Sequence, residues 1–192
     1  MIILGVPTMG TIPIKVAGAI ETVMMQRKAY PYYVSNSLVY DARYKIARFA
    51  LENDSDLLFI DSDILFSLEA FDRLLNHKKP IISGLYYTRT KEQSPVAYSK
   101  VRPSSLFHKY PQREIITDIT PLMEVEGCGL GFCFIQNQVL RDVMKEGKNP
   151  FEPYRNLGED FSFLYRCRKK GYKIYLDTTL ELKHLGEYEY GR

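Results

Sequence analysis

Four apolar residues, Leu57-Leu58-Phe59-Ile60, run straight into Asp61-Ser62-Asp63. A continuous apolar run this short, with polar residues on both sides, is a strand buried on both faces. Such a strand needs cover above and below, which directs the chain to an α/β layer. The flanking sequence supplies that cover. Met1 to Val6 reads as a first strand, closed by Pro7-Thr8-Met9-Gly10-Thr11. A helix from about Pro13 places Ile14, Ala17, Ile20 and Met24 at helical spacing on an inner face. Tyr32 to Ser35 is a second strand. Asp41 to Glu52 is a second helix, with Asp41 as N-cap and Ile46, Ala50 and Leu51 inward. After the central run, Ser67 caps a third helix that carries Glu69 in its first turn and stops at Lys78-Lys79-Pro80. Pro80 to Leu85 is a fourth strand. Alternation of this kind is the pattern of a parallel, Rossmann-like sheet.

From Tyr86 to about Val125 the pattern changes. Pro95, Pro103, Pro111, Pro121 and the alternating run Val96 to Val101 predict antiparallel strands and loops, forming a substrate-facing subregion. Gly127, Gly129 and Gly131 lead into the apolar run Phe132 to Ile135. The spacing is not G-x-G-x-x-G and no helix follows, so they mark close backbone approach or a bulge rather than a dinucleotide cradle. A helix covers roughly Gln138 to Lys145. Asn156-Leu157-Gly158-Glu159-Asp160 opens another that ends at Lys170-Gly171, acidic in its first turn and basic in its last. The helix macrodipole accounts for Arg166, Arg168, Lys169 and Lys170 without a ligand. It accounts for Glu159 and Asp160 as readily as a functional role does. Tyr172 to Leu176 is a final strand, and His184 follows it.

At 192 residues the chain fits one domain with a sizeable core. The net charge of +3, with basic residues scattered along the sequence, leaves no nucleic-acid footprint. The 15 tyrosines are expected mostly at half-buried strand positions. Cys128, Cys133 and Cys167 have no C-x-x-C spacing, which argues against a zinc site or a disulfide framework and fits a reducing compartment. The N-terminus has no basic n-region, and no apolar stretch is long enough to span a bilayer. A soluble cytoplasmic protein is expected.

Ligands of open α/β sheets sit outside the carboxyl ends of the strands. Asp61 and Asp63 stand there. A second D-x-D, Asp54-Ser55-Asp56, precedes the apolar run and so lies at the other end. Two neighbouring carboxylates repel unless a cation or hydrogen-bond donors compensate. A hard divalent ion, Mg²⁺ or Mn²⁺, is the natural compensation because it prefers oxygen ligands and accepts waters and phosphates in its shell.

Asp61-Ser62-Asp63, Glu159-Asp160 and His184, in this order on an alternating chain, resemble the GT-A fold glycosyltransferases, in particular the family 2-like group. The likeness covers most of the chain. It runs through Val6-Pro7-Thr8, Ala42-Arg43 and Phe59-Ile60-Asp61-Ser62-Asp63. It continues through Ser83-Gly84-Leu85-Tyr86, Gly129-Leu130-Gly131-Phe132 and Gly158-Glu159-Asp160-Phe161 to His184. The resemblance implies one GT-A domain over residues 1–192, a Rossmann-like mixed sheet flanked by helices with a small antiparallel subregion. Its nucleotide-binding half is 1–87 and its acceptor and catalytic half is 88–192. The implied activity moves a hexosyl-type sugar from a nucleotide-diphosphate sugar, UDP favoured, to a glycan or other hydroxyl acceptor with inversion. Asp63 would hold Mn²⁺ or Mg²⁺, His184 would complete the shell, and Asp61 would reach the metal, the ribose or the donor sugar. Asp160 would be the base for the acceptor hydroxyl, with Glu159 beside it. Pro7, Thr8, Arg43, Ser62, Tyr86 and Gly129 would line the donor site. The arginine-rich acceptor grip of processive members is missing, which implies single additions. With little chain after His184, the stretch from Tyr86 to Val125, or a partner, must form much of the acceptor site.

Two other readings fit parts of the pattern. Haloacid-dehalogenase-type phosphatases also place D-x-D after an apolar strand, with the first Asp as nucleophile. They want Thr or Val within two residues of the second Asp, where this chain has Ile64 and Leu65, and a later paired Asp motif. A sugar-nucleotide or glycan-binding module without turnover is the third reading. The joint presence of Asp61, Asp63, Asp160 and His184 speaks against it.

Overall fold

The apolar run forms β3 (Asp56–Ile60), with Leu57 to Ile60 wholly inaccessible. Leu57 and Phe59 belong to one hydrophobic core, Leu58 and Ile60 to the other, as expected for a strand covered on both faces. The computed structural model describes all residues except 107, 146, 187, 188, 191 and 192, and only the backbone of 189 and 190.

Around β3 the chain builds β1 (Ile2–Thr8), β2 (Ala29–Ser35), β5 (Ile81–Gly84), β8 (Leu122–Val125), β10 (Phe132–Ile135) and β11 (Ile174–Asp177) into one sheet. Its order is β2-β1-β3-β10-β5-β11-β8. β2, β1 and β3 run parallel, and β11 runs parallel to β5. β10 is antiparallel to both β3 and β5, and β8 is antiparallel to β11. The sheet is therefore mostly parallel, and the carboxyl ends of β1, β3, β5 and β11 share one edge.

Helices α1 (Ile14–Gln26), α2 (Val39–Glu52), α3 (Leu68–Asn76), α4 (Asn137–Met144) and α5 (Glu159–Lys169) flank the sheet. Ser67 caps α3 as expected, its Oγ accepting from the Ala70 N–H at 3.1 Å. Two helix readings need correction. α1 buries Val16, Ile20 and Val23, whereas Ile14 is 85% and Met24 40% exposed. Apolar residues occupy nearly every phase of α1, so spacing alone could not select the buried stripe. α2 starts at Val39 with Leu38 at its N-cap, which places Asp41 in the first turn, where its charge still suits the helix dipole.

The inner face of α2 is Ala42, Arg43, Ile46, Ala47 and Ala50. Its small residues let it lie close on β1, where a Cβ on Gly5 would overlap the Ile46 side chain. That close seating carries Arg43 to the strand ends.

The second half adds two small sheets. β6 (Ala97–Arg102), β7 (Gln112–Ile115) and β9 (Gly127–Cys128) form the expected antiparallel subregion, in the order β7-β6-β9. β4 (Ile64–Leu65) pairs with β12 (Lys183–Leu185), which in turn pairs with β13 (Glu189–Tyr190). The β4–β12 register sets His184 opposite Ile64, one residue from Asp63. Asp54 and Asp56 serve structure at the far end of β3. Asp54 pairs with Arg141 at 2.8 Å, and Asp56 accepts from the Asn137 N–H at the start of α4 at 2.8 Å. Cys128, Cys133 and Cys167 are buried free thiols. Among the described residues, no helix is long and apolar enough to cross a membrane.

Candidate functional site

After β3 the chain makes a clamped turn. The Asp61 N–H donates to Gly131 O at 2.8 Å, and Asp61 O accepts from the Ile64 N–H at 3.0 Å. The Leu185 N–H then binds Asp63 O at 2.7 Å. This turn sends the two carboxylates in different directions. Asp61 faces α2 and Asp63 faces β12.

Asp61 meets Arg43. The Arg43 side chain is 2% exposed, and its guanidinium lies 5.1 Å from the centre of the Phe59 ring. A buried guanidinium requires counter-charge. Three carboxylates provide it: Asp61 Oδ1 at 3.1 Å, Asp160 Oδ1 at 3.3 Å and Glu159 Oε1 at 3.9 Å. Arg43 therefore ties the end of β3 to the first turn of α5. The pairing is electrostatic more than directional, since Arg43 Nε and Nη1 and Asp160 Oδ1 make no hydrogen bond of their own among the described residues. Asp160 Oδ2 accepts from the Leu130 N–H at 3.2 Å. Burial pushes the Asp160 carboxyl up to about 7; Arg43 opposes the rise, while Glu159 and Asp61 add to it.

Asp63 belongs to a separate set. Its Oδ2 lies 3.0 Å from Arg89 Nη1 and 3.4 Å from His184 Nε2. Burial works to raise the Asp63 carboxyl, but His184 and Arg89 outweigh it and hold the group below its ordinary value. His184 Nδ1 sits 2.9 Å from Tyr87 O. A carbonyl can only accept, so Nδ1 carries a proton, and Nε2 faces a carboxylate that also only accepts. Burial works against the charged imidazole, but Asp63 and the Tyr87 carbonyl outweigh it and hold His184 above its ordinary value. A metal ion would replace the proton on Nε2. A backbone carbonyl orienting one ring nitrogen so that the other can ligate is the usual support of a metal-binding histidine. Asp63 Oδ2 and His184 Nε2 thus fit a hard divalent ion that takes the rest of its shell from water and phosphate. Arg89 supplies positive charge at the same carboxylate oxygen. Among the described residues, no group of three or more His, Cys, Asp or Glu side chains is assembled for a metal. Asp61, held by Arg43, stands apart from Asp63 and His184.

All these groups line one cleft of about 330 Å³ at the carboxyl edge of β1 and β3. Pro7, Thr8, Arg43, Asp61, Ser62, Asp63, Glu159, Asp160 and His184 form its walls. Larger depressions along α3 and beside Ser104, of about 460 and 480 Å³, are lined by none of these groups. Tyr86 and Gly129 are not on the walls. Tyr86 is 5% exposed, and its hydroxyl accepts from the Gly131 N–H at 3.2 Å. A Cβ on Gly129 would overlap that hydroxyl, and one on Gly131 would come within 2.9 Å of it. The glycines make room for Tyr86, which buttresses the Asp61 turn from behind. Gly129→Ala is accordingly expected to cost about 1–3 kcal/mol by overpacking in urea denaturation. Adding Tyr86→Phe, which removes the overlapped oxygen, should recover part of that loss; additive losses would contradict the buttress.

Sequence reading missed Arg89 and Ser37 on the cleft wall. Ser37 carries no motif. Arg89 lies in the irregular stretch after Tyr86, and only charge balance against four neighbouring carboxylates could have called for it.

No protein-family model matches the chain, and no curated protein matches it. Solved structures do. A197 from STIV superposes with a TM-score of 0.66 at 22% identity, over 97% of this chain and 86% of that one. GalNAc-T7, crystallised with UDP, GalNAc and Mn²⁺, superposes with a TM-score of 0.56 at 11% identity, over 88% of this chain. The fold is GT-A-like. This chain covers 34% of the GalNAc-T7 chain.

Proposed function

We propose that the chain is a metal-dependent glycosyltransferase that moves a sugar from a UDP-sugar to an acceptor hydroxyl with inversion. The observation that carries the reading is the meeting of Asp63 and His184 with Glu159 and Asp160 in one cleft at the strand ends of a GT-A-like sheet. The UDP and Mn²⁺ bound to GalNAc-T7 support the choice of donor and ion.

Charge gives independent support. Four carboxylates (Asp61, Asp63, Glu159, Asp160) against two guanidinium groups (Arg43, Arg89) leave the cleft at a formal charge of −2 with His184 neutral and −1 with His184 protonated, negative in either state. A diphosphate entering such a cleft is repelled unless a cation comes with it. Asp63 and His184 would hold Mn²⁺ or Mg²⁺, which when bound offsets the charge that develops on the leaving diphosphate.

The chain's own residues do the rest. Asp61, held by Arg43, faces the ribose or donor sugar and stays outside the metal shell. Arg89 can pass from Asp63 to a phosphate oxygen when the ion arrives, since both are anionic partners for a guanidinium. Asp160 accepts the acceptor proton as the new bond forms, with Leu130 N–H and Arg43 holding the carboxylate in place. Glu159 raises the basicity of Asp160 through its negative field. Residues 1–87 would handle the donor, and 88–192 the acceptor and base. UDP release from a panel of UDP-sugars with Mn²⁺ tests the proposal. Slow hydrolysis with one sugar is expected, whereas none with any UDP-, GDP- or dTDP-sugar would reduce the chain to a binding module.

A further inference from the structure

Four basic residues from separate parts of the sequence, Arg102, Arg113, Arg168 and Lys169, are brought together by the fold along α5. Phe161, Tyr165, Arg168 and Lys169 follow Asp160 at i, i+4, i+7 and i+8, so they share one face of α5. Facing them, the β6–β7 hairpin contributes Tyr98, Arg102 and Arg113. The Tyr98 and Phe161 rings meet edge-on at 5.1 Å, and the Arg113 guanidinium lies 5.4 Å from the Phe161 ring centre. Farther along, Arg168 and Lys169 lie 5.7 and 5.5 Å from the Tyr165 ring. Arg102, Tyr165, Arg168 and Lys169, with Pro103, line a depression of about 380 Å³. A stripe of aromatic rings and cations therefore starts at the candidate base and extends about 14 Å along the helix.

Its charge is unbalanced. Arg102 and Arg168 share one carboxylate, Glu126. Arg113 and Lys169 have no carboxylate partner among the described residues and rest on rings instead. The macrodipole of α5 accounts for Arg168 and Lys169, but not for Arg102 and Arg113, which come from a different element to the same stripe.

We infer that this stripe binds an anionic acceptor glycan, whose reacting hydroxyl reaches Asp160 while its acidic groups lie on Arg113, Arg102 and Lys169. The inference rests on the transferase reading above. Aromatic faces pack against the apolar faces of sugar rings, and guanidinium groups take carboxylate, sulfate or phosphate. The stripe runs into Glu159 and Asp160, so a continuous polyanion such as single-stranded DNA would meet repulsion at that end. A glycan that ends in a neutral, reacting sugar would not.

Calorimetric titration at low salt with tetragalacturonate, its methyl ester and a short oligothymidylate tests this. Tetragalacturonate should bind at least about tenfold more tightly than the ester, and Arg113→Gln/Lys169→Gln should lose about tenfold while keeping its melting temperature. Equal affinity for acid and ester, no effect of the double substitution, or tighter binding of oligothymidylate would overturn the inference. UDP with Mn²⁺ is titrated in parallel. If UDP binds but tetragalacturonate shows no preference, this inference alone fails. If UDP fails while tetragalacturonate binds, the donor reading fails and the stripe stands as a glycan-binding surface.

Discussion

Asp160→Asn is expected to lower kcat for sugar transfer by about 10²–10⁴-fold while UDP binding with Mn²⁺ stays near the wild-type level. The amide keeps the shape of the side chain and can still accept from the Leu130 N–H, so the turn is preserved. What it loses is the ability to take the acceptor proton. The same carboxyl sets the pH dependence. With Asp160 pushed up to about 7, the base is protonated below that pH, and kcat/KM in the free enzyme should fall as pH drops through about 7 rather than near the ordinary carboxyl range. The linkage has the opposite sign for stability. A carboxyl raised in the folded chain favours folding fully below its unfolded value of about 3.9, and that contribution is lost as pH rises through about 7. The site thus holds its base at a cost to stability at the pH where it works. Transfer at the wild-type rate in Asp160→Asn, with an unchanged acid limb, would remove Asp160 from the mechanism.

Arg43→Met should destabilise the chain by about 3–5 kcal/mol in urea denaturation at neutral pH. Methionine fills much of the volume against Phe59, so packing is not the main loss. The loss is electrostatic: Asp61, Glu159 and Asp160 would face one another without the guanidinium that now lies 3.1–3.9 Å from all three. Without the guanidinium, protonation is what relieves the mutual repulsion of the three carboxylates. The deficit should therefore shrink as the pH falls toward the ordinary carboxyl range and grow as it rises. A variant as stable as the wild type at neutral pH would show that the three carboxylates do not depend on Arg43.

The strand that runs into Asp61 was legible because burial on both faces leaves an unbroken apolar run, and position at its carboxyl end distinguished Asp61-Ser62-Asp63 from Asp54-Ser55-Asp56. The capped start of α3 was legible through Ser67, whose side chain does locally what the sequence suggests. The inner face of α1 was not, since apolar residues on many phases leave the choice to tertiary packing. Arg43 was expected near the nucleotide, but its role as a buried counter-charge was hidden. One arginine on an otherwise small and apolar helix face shows nothing about which carboxylates the fold will bring to it. The same limit hid Arg89, and the stripe on α5, whose cations come from segments more than fifty residues apart. The glycines before β10 were read correctly as close-approach points: Tyr86 comes up against Gly129 and Gly131, and Phe161 and Val101 against Gly127.

Donor and divalent ion are expected to bind together at Asp63. The direct measurement is the melting temperature with UDP alone, Mn²⁺ alone and both, in wild type and Asp63→Asn. With both ligands at about a hundredfold above Kd, stabilisation of about 2.7 kcal/mol should raise Tm by roughly 5–10 °C, well beyond the sum of the separate effects. Asp63→Asn should abolish that synergy. A shift with UDP that is indifferent to Mn²⁺, or a synergy that survives Asp63→Asn, would contradict the account.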